Sequence, residues 1–553
     1  MQIEEIVEEW LAHDPDPNTR FALKRLLDAH DLNTLRALFA GRLSFGTAGL
    51  RAEVGPGPLR MNCLVVRQTT AGLAQYLAKT VPDAEKRGIV VGCDARIDST
   101  RFASEAVAIL LEHGFIVHHF QTPMPTPVLA FAVRDLGASA GIVITASHNP
   151  STDNGIKVYW GDGAQVIPPH DTGIAYAITA GAQLAAPSLN RAQQATHIRY
   201  DEDSVVERAY IATILGKTHT THVQPSIAYS PLHGVGGRIA QLVLQRAGFS
   251  QVHVVASQIK PNGRFPGIPY PNPEYPEAFH EVVTLADQVG ADLALANDPD
   301  ADRLAVGVRD DDGNLRVLTG NQIGVLLADY VLGGHTNHCA VGTTIVSSRM
   351  LSRMAEHEGA DYFETLTGFK WLAAHAAILE KSETRWLFAY EEALGYGLHS
   401  EIRDKDGISA LLAFAQLTAR CMENSTSPWK RLGELYLLYG MHITTQITMR
   451  LERSGGEIMQ ELRTRTGTSD FPLLYDYRNA IKGLPTTDLL EFCAGDTRIL
   501  IRPSGTEPIL KCYAERVVPL ASDDFWFTAY AEYEIQLKQT VQAFMSKLVH
   551  VSA

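Results

Sequence analysis

Cysteine is scarce and scattered, with six in 553 residues, at Cys63, Cys93, Cys339, Cys421, Cys493 and Cys512. No two form a CxxC pair or fall at metal-ligand spacing. That excludes a disulfide framework and a zinc ribbon, and it suits a reducing cytosol. No apolar run approaches the roughly 20 residues that a bilayer-spanning helix needs. The opening stretch MQIEEIVEEWLAHD is acidic and amphipathic, unlike a signal peptide. A cytoplasmic protein with no membrane partner is therefore expected. Basic charge is also lacking: 48 Lys and Arg stand against 62 Asp and Glu, a net −14. A nucleic-acid surface would be basic, so none is expected. An anionic small molecule remains allowed, because a local basic pocket can override the total charge. No segment is low-complexity and no fixed-period repeat occurs.

What is present is the composition of an ordinary globular protein, 45% hydrophobic and 20% charged. At about 150 residues per domain the length suggests about four domains. Residues 1–40 read as two helical stretches separated by HDPDPNT. RLSFGTAGLRAEVG reads as a loop leading into a strand or hairpin. From Gly88 an α/β rhythm sets in: GIVVGCD, FASEAVAILLEHG, FIVHHF and AGIVITASHNP alternate strand and helix. It recurs through SIAYSPLHGVGG and ADLALANDPDADRLAVGV, and again through CAVGTTIVSS and RWLFAYEEALG. The last hundred residues differ, with strand, loop and strand in TRILIRPSGTEPILKCYAER and a closing helix. The expected fold is a four-domain α/β chain, three α/β domains followed by a smaller α+β C-terminal domain around a central cleft. Boundaries are expected at 1–205, 206–318, 319–445 and 446–553.

Four polar loops follow predicted strands, where open α/β sheets collect ligands. In TASHNPSTDNGIK, Ser147 lies on an Asn- and Gly-rich loop with His148 beside it and Lys157 ten residues on. A hydroxyl nucleophile needs a base or metal, and a phosphoserine needs cations. No G-x-S-x-G elbow is present, which disfavours a serine hydrolase. NDPDADR presents Asp298, Asp300 and Asp302 at alternating positions. Such crowded carboxylates call for a hard cation, Mg²⁺ or Ca²⁺, and Arg303 beside them suggests a shared phosphate. The run Asp310–Gly313 reads as a plain hairpin turn, and HGVGG as a tight strand-to-helix turn. RPSGTEP gathers Arg502, Ser504, Gly505 and Thr506, a phosphate cradle without the ending of a P-loop. YEEALGYG sets Glu391 and Glu392 at a strand end, and TLTGFKW offers Gly368 and Lys370 on a turn. Each string alone also reads as an ordinary solvated loop.

Together and in this order the four loops resemble the alpha-D-phosphohexomutase superfamily over essentially the whole chain. SFGTAGLRAEVG, TLTGFKW and the tryptophan-bearing N-terminal helix resemble its phosphoglucomutase and phosphopentomutase branch. The resemblance implies that Ser147 carries a phosphate and joins Asp298, Asp300 and Asp302 in holding Mg²⁺. Arg51, His148 and Lys157 match positions giving acid–base help at the transferring phosphate, and Arg303 matches a residue near it. It further implies that Glu391 contacts the sugar, with Gly368 and Lys370 nearby. Arg502, Ser504, Gly505 and Thr506 would hold the phosphate that is not transferred. Where many members have a serine two residues after the glutamate, this chain has Ala393.

The implied activity is exchange of glucose 1-phosphate and glucose 6-phosphate, through a phosphoserine and glucose 1,6-bisphosphate. Ribose and mannose phosphates are the alternative substrates. A metal-dependent sugar phosphatase and a non-catalytic sugar-phosphate binder are the remaining readings. Small sugar phosphates are the expected partners of a monomer or homodimer.

Overall fold

The structure is a computed structural model. It describes residues 2–44, 49–180, 196–216, 223–333, 338–451, 453–465, 467–468, 470–503, 509–522 and 526–548. It divides into two compact units. One comprises Met1–Gly307, Ala376–Ile378 and Gly395–Gln416; the other comprises Val308–His375, Leu379–Leu394 and Leu417–Ala553. Among the described residues no helix is long and apolar enough to cross a membrane.

The first unit opens with three helices, Ile3–His13, Pro17–Asp28 and Leu32–Leu38. The HDPDPNT stretch separates the first two for only three residues. Pro17 occupies the first helical turn, where its missing N–H costs nothing, and the Asp16 carboxylate accepts from Asn18 N–H. A proline-rich string that reads as a break is thus partly a helix start.

The first sheet has six strands in the order Leu50–Glu53, Asp153–Trp160, Ala140–Ile144, Ile89–Cys93, Val117–Phe120 and His197–Tyr200. Its middle is parallel, while Asp153–Trp160 runs antiparallel to both neighbours. Ile89–Cys93 and Ala140–Ile144 are buried at every residue. Parallel strands covered on both faces have no solvent side, so they read as unbroken apolar runs. The helix Cys63–Thr80 packs over this sheet, capped by the Asn62 side chain accepting from Val65 N–H at 3.0 Å. A second sheet carries Leu304–Arg309, Leu293–Asn297, Ile227–Ser230 and Val252–Val254 in that order.

In the second unit a parallel sheet places Cys339–Thr344 between Asp361–Thr365 and Arg385–Glu391. The run after Arg309 is the expected turn, with Asp310 N–H donating to Asn314 O at 2.9 Å. The last sheet is antiparallel throughout: Met441–Arg450, Ile509–Val518, Thr497–Pro503, Leu490–Ala494 and Leu473–Asp476. The closing helix is Trp526–Leu548. Ile345, Val346 and Leu366 share one apolar cluster with Tyr477, Leu489, Leu500 and Tyr513, which joins these two sheets. The α/β order and the distinct C-terminal part therefore agree with the sequence.

Candidate active site

Ser147 follows the buried strand Ala140–Ile144 and turns through φ +52°, a left-handed conformation uncommon for a non-glycine residue. Its backbone N–H donates to Thr145 Oγ1 at 2.8 Å, and that hydroxyl donates to Asp94 Oδ2 at 2.7 Å. Its own Oγ lies 3.0 Å from Asp298 Oδ2 and 3.3 Å from His148 Nδ1. Tertiary folding thus brings the serine of one domain to the acidic loop of the next, 151 residues away.

Asp298, Asp300 and Asp302 follow the strand Leu293–Asn297 and are fully buried. One oxygen from each falls within a 4.8 Å span. Three cations stand around them. Lys157 Nζ donates to Asp300 Oδ2 and Asp302 Oδ2, both at 2.6 Å. Lys405 Nζ is 2.9 Å from Asp302 Oδ2, and Arg303 Nε is 4.0 Å from Asp298 and 3.9 Å from Asp302.

Burial is the largest single influence on Asp298, Asp302, Lys157 and His148, and neighbouring charges reverse it at Asp302 and Lys157. It pushes the Asp298 carboxyl well above its ordinary value, helped by repulsion from Asp302 and Asp300. Burial acts the same way on Asp302, but the charges of Lys157, Lys405 and Arg303 outweigh it and hold that carboxyl well below the usual range. Burial would lower Lys157, yet Asp300 and Asp302 raise it, so it stays an ammonium. His148 is driven well below its ordinary value by burial, then by Arg303 and Arg51, which keeps the imidazole neutral.

Two buried carboxylate oxygens, Asp300 Oδ1 and Asp302 Oδ1, have no hydrogen-bond partner. Buried lone pairs without donors are costly, and a hard divalent cation is the chemistry that uses them. The donor set fits such an ion.

Arg51, on the antiparallel edge strand opposite Gly155, extends Nη1 to Asn149 Oδ1 at 3.3 Å. Ser147, His148, Lys157, Arg51, Asp298, Asp300, Asp302 and Arg303 therefore all belong to the first unit, and hydrogen bonds or ion pairs tie them to this loop cluster.

Models of the phosphoglucomutase/phosphomannomutase alpha/beta/alpha domains I, II and III match residues 42–185, 208–313 and 319–439. The model of the C-terminal domain matches residues 450–521. The chain is 36% identical to a probable phosphoribomutase of Schizosaccharomyces pombe, over 92% of this chain and 93% of that one. The chain belongs to the phosphoglucomutase/phosphomannomutase family. It is 35% identical to a phosphopentomutase of Homo sapiens, over 93% of this chain and 92% of the relative. Its fold resembles a crystallised putative phosphomannomutase of Thermus thermophilus, with TM-score 0.70 and 19% identity over 92% and 99% of the two chains. It is thus an alpha-D-phosphohexomutase superfamily member and a phosphotransferring isomerase.

The other loops singled out from the sequence lie in the second unit. Glu391 ends the strand Arg385–Glu391 and is buried. Its neighbour Glu392 is engaged by protein, accepting from Thr344 and Ser347 hydroxyls at 3.1 Å each. Gly368, at φ +104°, starts the helix Phe369–Lys381, a conformation that requires glycine. Lys370 Nζ sits 5.8 Å from the Trp371 ring centroid. Arg502 donates from Nη2 to Tyr513 Oη at 3.2 Å, while its buried Nε has no hydrogen-bond partner among the described residues. Ser504, Gly505 and Thr506 lie outside the described residues.

Sequence reasoning passed over several residues that contact this loop cluster. Lys405 sits in RDKDG just before a helix, and Thr126 in PTP starts another. Asp94 and Arg96 follow the strand Ile89–Cys93. A charged residue at the carboxyl end of a buried strand was the available signal.

Proposed function

We propose that this enzyme interconverts pentose 1-phosphate and pentose 5-phosphate, with Ser147 as the phosphate carrier. The observation that carries the transfer chemistry is the Ser147 Oγ 3.0 Å from Asp298, against three carboxylates and three cations. The pentose preference is supported by the names of the relatives at 35–36% identity. Ala393, in place of a hydroxyl side chain beside Glu391, is compatible with a smaller sugar.

Asp298, Asp300, Asp302 and Ser147 would hold Mg²⁺, which supplies charge neutralisation at the transferring phosphate. As the cluster stands, Lys157, Arg303 and Lys405 are paired with these carboxylates. A phosphoserine brings about −1.5 to −2 of further charge, which a divalent ion matches. Phosphoryl transfer otherwise needs in-line placement, which a rigid loop provides. His148 Nδ1 is within reach of the Ser147 hydroxyl at 3.3 Å, and with Asp298 engaged by the cation it would be the group that exchanges its proton. Lys157 and Arg51 serve as donors to phosphate oxygens. In the second unit, Glu391 with Lys370 and Gly368 would meet the sugar. Arg502, with Ser504, Gly505 and Thr506, would grip the second phosphate. The four domain ranges expected from the sequence remain our division of the chain, and a cytoplasmic enzyme our placement of it.

The test is isomerisation of ribose 1-phosphate and glucose 1-phosphate by purified enzyme, with Mg²⁺ and the matching bisphosphate, beside Ser147→Ala. A kcat/KM higher for ribose 1-phosphate, lost in the variant, is the expected result. A higher value for glucose 1-phosphate would return the sugar to the glucose reading. Phosphate release without isomerisation would overturn the mutase.

A further inference from the structure

Beneath the serine loop lies a buried arginine to which no role is yet attached. Arg96 is 3% exposed. Its Nη1 donates to Pro150 O at 2.6 Å and Asp153 O at 2.9 Å. Its Nη2 donates to Ser147 O at 2.7 Å and Asn149 O at 2.6 Å. One guanidinium thus gathers four carbonyls of the loop 147–153. Its Nε faces Asp94 Oδ2 at 3.2 Å, and that same oxygen accepts from Thr145, which accepts from Ser147 N–H. Both the carbonyl and the amide of Ser147 are therefore tied to one Asp94–Arg96 pair.

A cover comes from the second domain. The Phe265 ring lies 5.1 Å from Arg96 Cζ. A side chain at Gly263 would meet Arg96 Cα at 2.6 Å, so that loop packs against the arginine backbone.

We infer that Arg96 is a positioning residue, clasping the 147–153 loop from below so that Ser147 Oγ is aimed at Asp298, with Phe265 closing the clasp. Ser147 holds a left-handed φ, a strained state that persists only where the surroundings over-determine it. The guanidinium supplies five donors in a planar fork, enough to reach carbonyls on two sides. A lysine ammonium has three donors on one nitrogen and cannot span them. The charge would survive such a swap, but the loop geometry would not.

The inference rests on Ser147 as phosphate carrier, and its test is arranged to separate the two. Wild type, Ser147→Ala, Arg96→Lys, Arg96→Ala and Phe265→Leu are compared as full-length enzymes with Mg²⁺. Rates are expressed per folded molecule, measured by near-UV circular dichroism at the assay temperature. Arg96→Lys is expected to lower kcat on the order of 100-fold, because a displacement of about 1 Å costs that much. KM should change less than about threefold, since no substrate contact is removed. Phe265→Leu should lower kcat about three- to tenfold. Guanidinium ion should restore part of the kcat of Arg96→Ala and none of Ser147→Ala. Should Arg96→Ala not fold, Arg96→Lys and Phe265→Leu decide the matter. An Arg96→Lys kcat within about threefold of wild type overturns the inference, as does a loss that appears only in KM. Activity surviving in Ser147→Ala would instead overturn the carrier assignment, whatever Arg96 does.

Discussion

Thr126 holds Asp300 twice: its backbone N–H donates to the Asp300 carbonyl at 2.9 Å, and its hydroxyl donates to Oδ2 at 2.7 Å. The threonine starts the helix Thr126–Asp135 in the first α/β domain, and the aspartate belongs to the acidic loop of the second. Two domains are thereby latched at Asp300, two residues from the Asp298 carboxylate that meets Ser147 Oγ.

Thr126→Val keeps the shape and removes the hydroxyl. Partners behind a metal ligand typically contribute 10–100-fold to affinity. Divalent binding, followed with Mn²⁺ by electron paramagnetic resonance, should weaken about tenfold. Thr126→Ser should bind as wild type does. Equal Mn²⁺ affinity in all three proteins would refute the latch.

Gly234 approaches the same loop from its other side. A Cβ there would lie 2.5 Å from both Pro299 Cα and Pro299 O, while Val235 N–H donates to Pro299 O at 2.9 Å. HGVGG is thus a packing turn, as its sequence suggests, and its first glycine is required by the acidic loop's backbone. Gly234→Ala is expected to cost about 1–3 kcal/mol by overpacking and to weaken Mn²⁺ binding. A melting curve and Mn²⁺ titration both identical to wild type would contradict this.

Glu515 predicts a pH dependence in the second unit. Burial opposes its charge, but the hydrogen bond and charge of His442, then the charge and hydrogen bond of Arg349, hold the carboxyl at about 2. It also accepts from Ser348 Oγ and Arg349 N–H at 2.9 Å each, joining the last sheet to the loop after Cys339–Thr344. The folded value lies below the unfolded one of 4.5, so the stabilisation is complete above that pH. It disappears as pH falls toward about 2, and amounts to on the order of 3 kcal/mol. Glu515→Gln should melt earlier than wild type at pH 6, with the gap narrowing between pH 4.5 and pH 2. A gap independent of pH would show that the carboxylate charge is not what stabilises the joint.

The six thiols give a simple check of the packing. Five are buried and Cys493 is half-buried. Burial pushes the thiols of Cys63, Cys93 and Cys512 to about 12, so they are neither accessible nor ionised at neutral pH. A thiol reagent should modify one cysteine readily in the native protein and all six after denaturation. Rapid native labelling of three or more would mean that the core is more open than described.

Much of this was legible in the residues. IVVGC and AGIVI are continuous apolar runs because parallel strands bury both faces, and polar residues follow each at the sheet's carboxyl edge. Asp298, Asp300 and Asp302 announce a cation, since adjacent buried carboxylates repel without one. Less legible was the N-terminal HDPDPNT, where Pro17 begins a helix that composition alone would interrupt. Illegible altogether were Thr126 and Lys405, and Arg96 showed only its place just past a buried strand. Thr126 and Lys405 act through contacts to Asp300 and Asp302, more than 100 residues away. Arg96 holds the carbonyl oxygens of a loop more than 50 residues away.

Local chemistry is written in short strings: period, turn residues, and which side chains can carry phosphate or bind a hard cation. From those strings the fold class, the acidic triad and the candidate serine could be read directly. What remained for the folded chain to decide was which distant groups share a few ångströms. Lys157 meets Asp302, Thr126 latches Asp300, and Arg96 closes on four loop carbonyls only in the folded chain. Such pairings are set by packing across long sequence separations, and the buried low-dielectric setting then turns ordinary side chains into neutral imidazole, fixed ammonium and aimed hydroxyl.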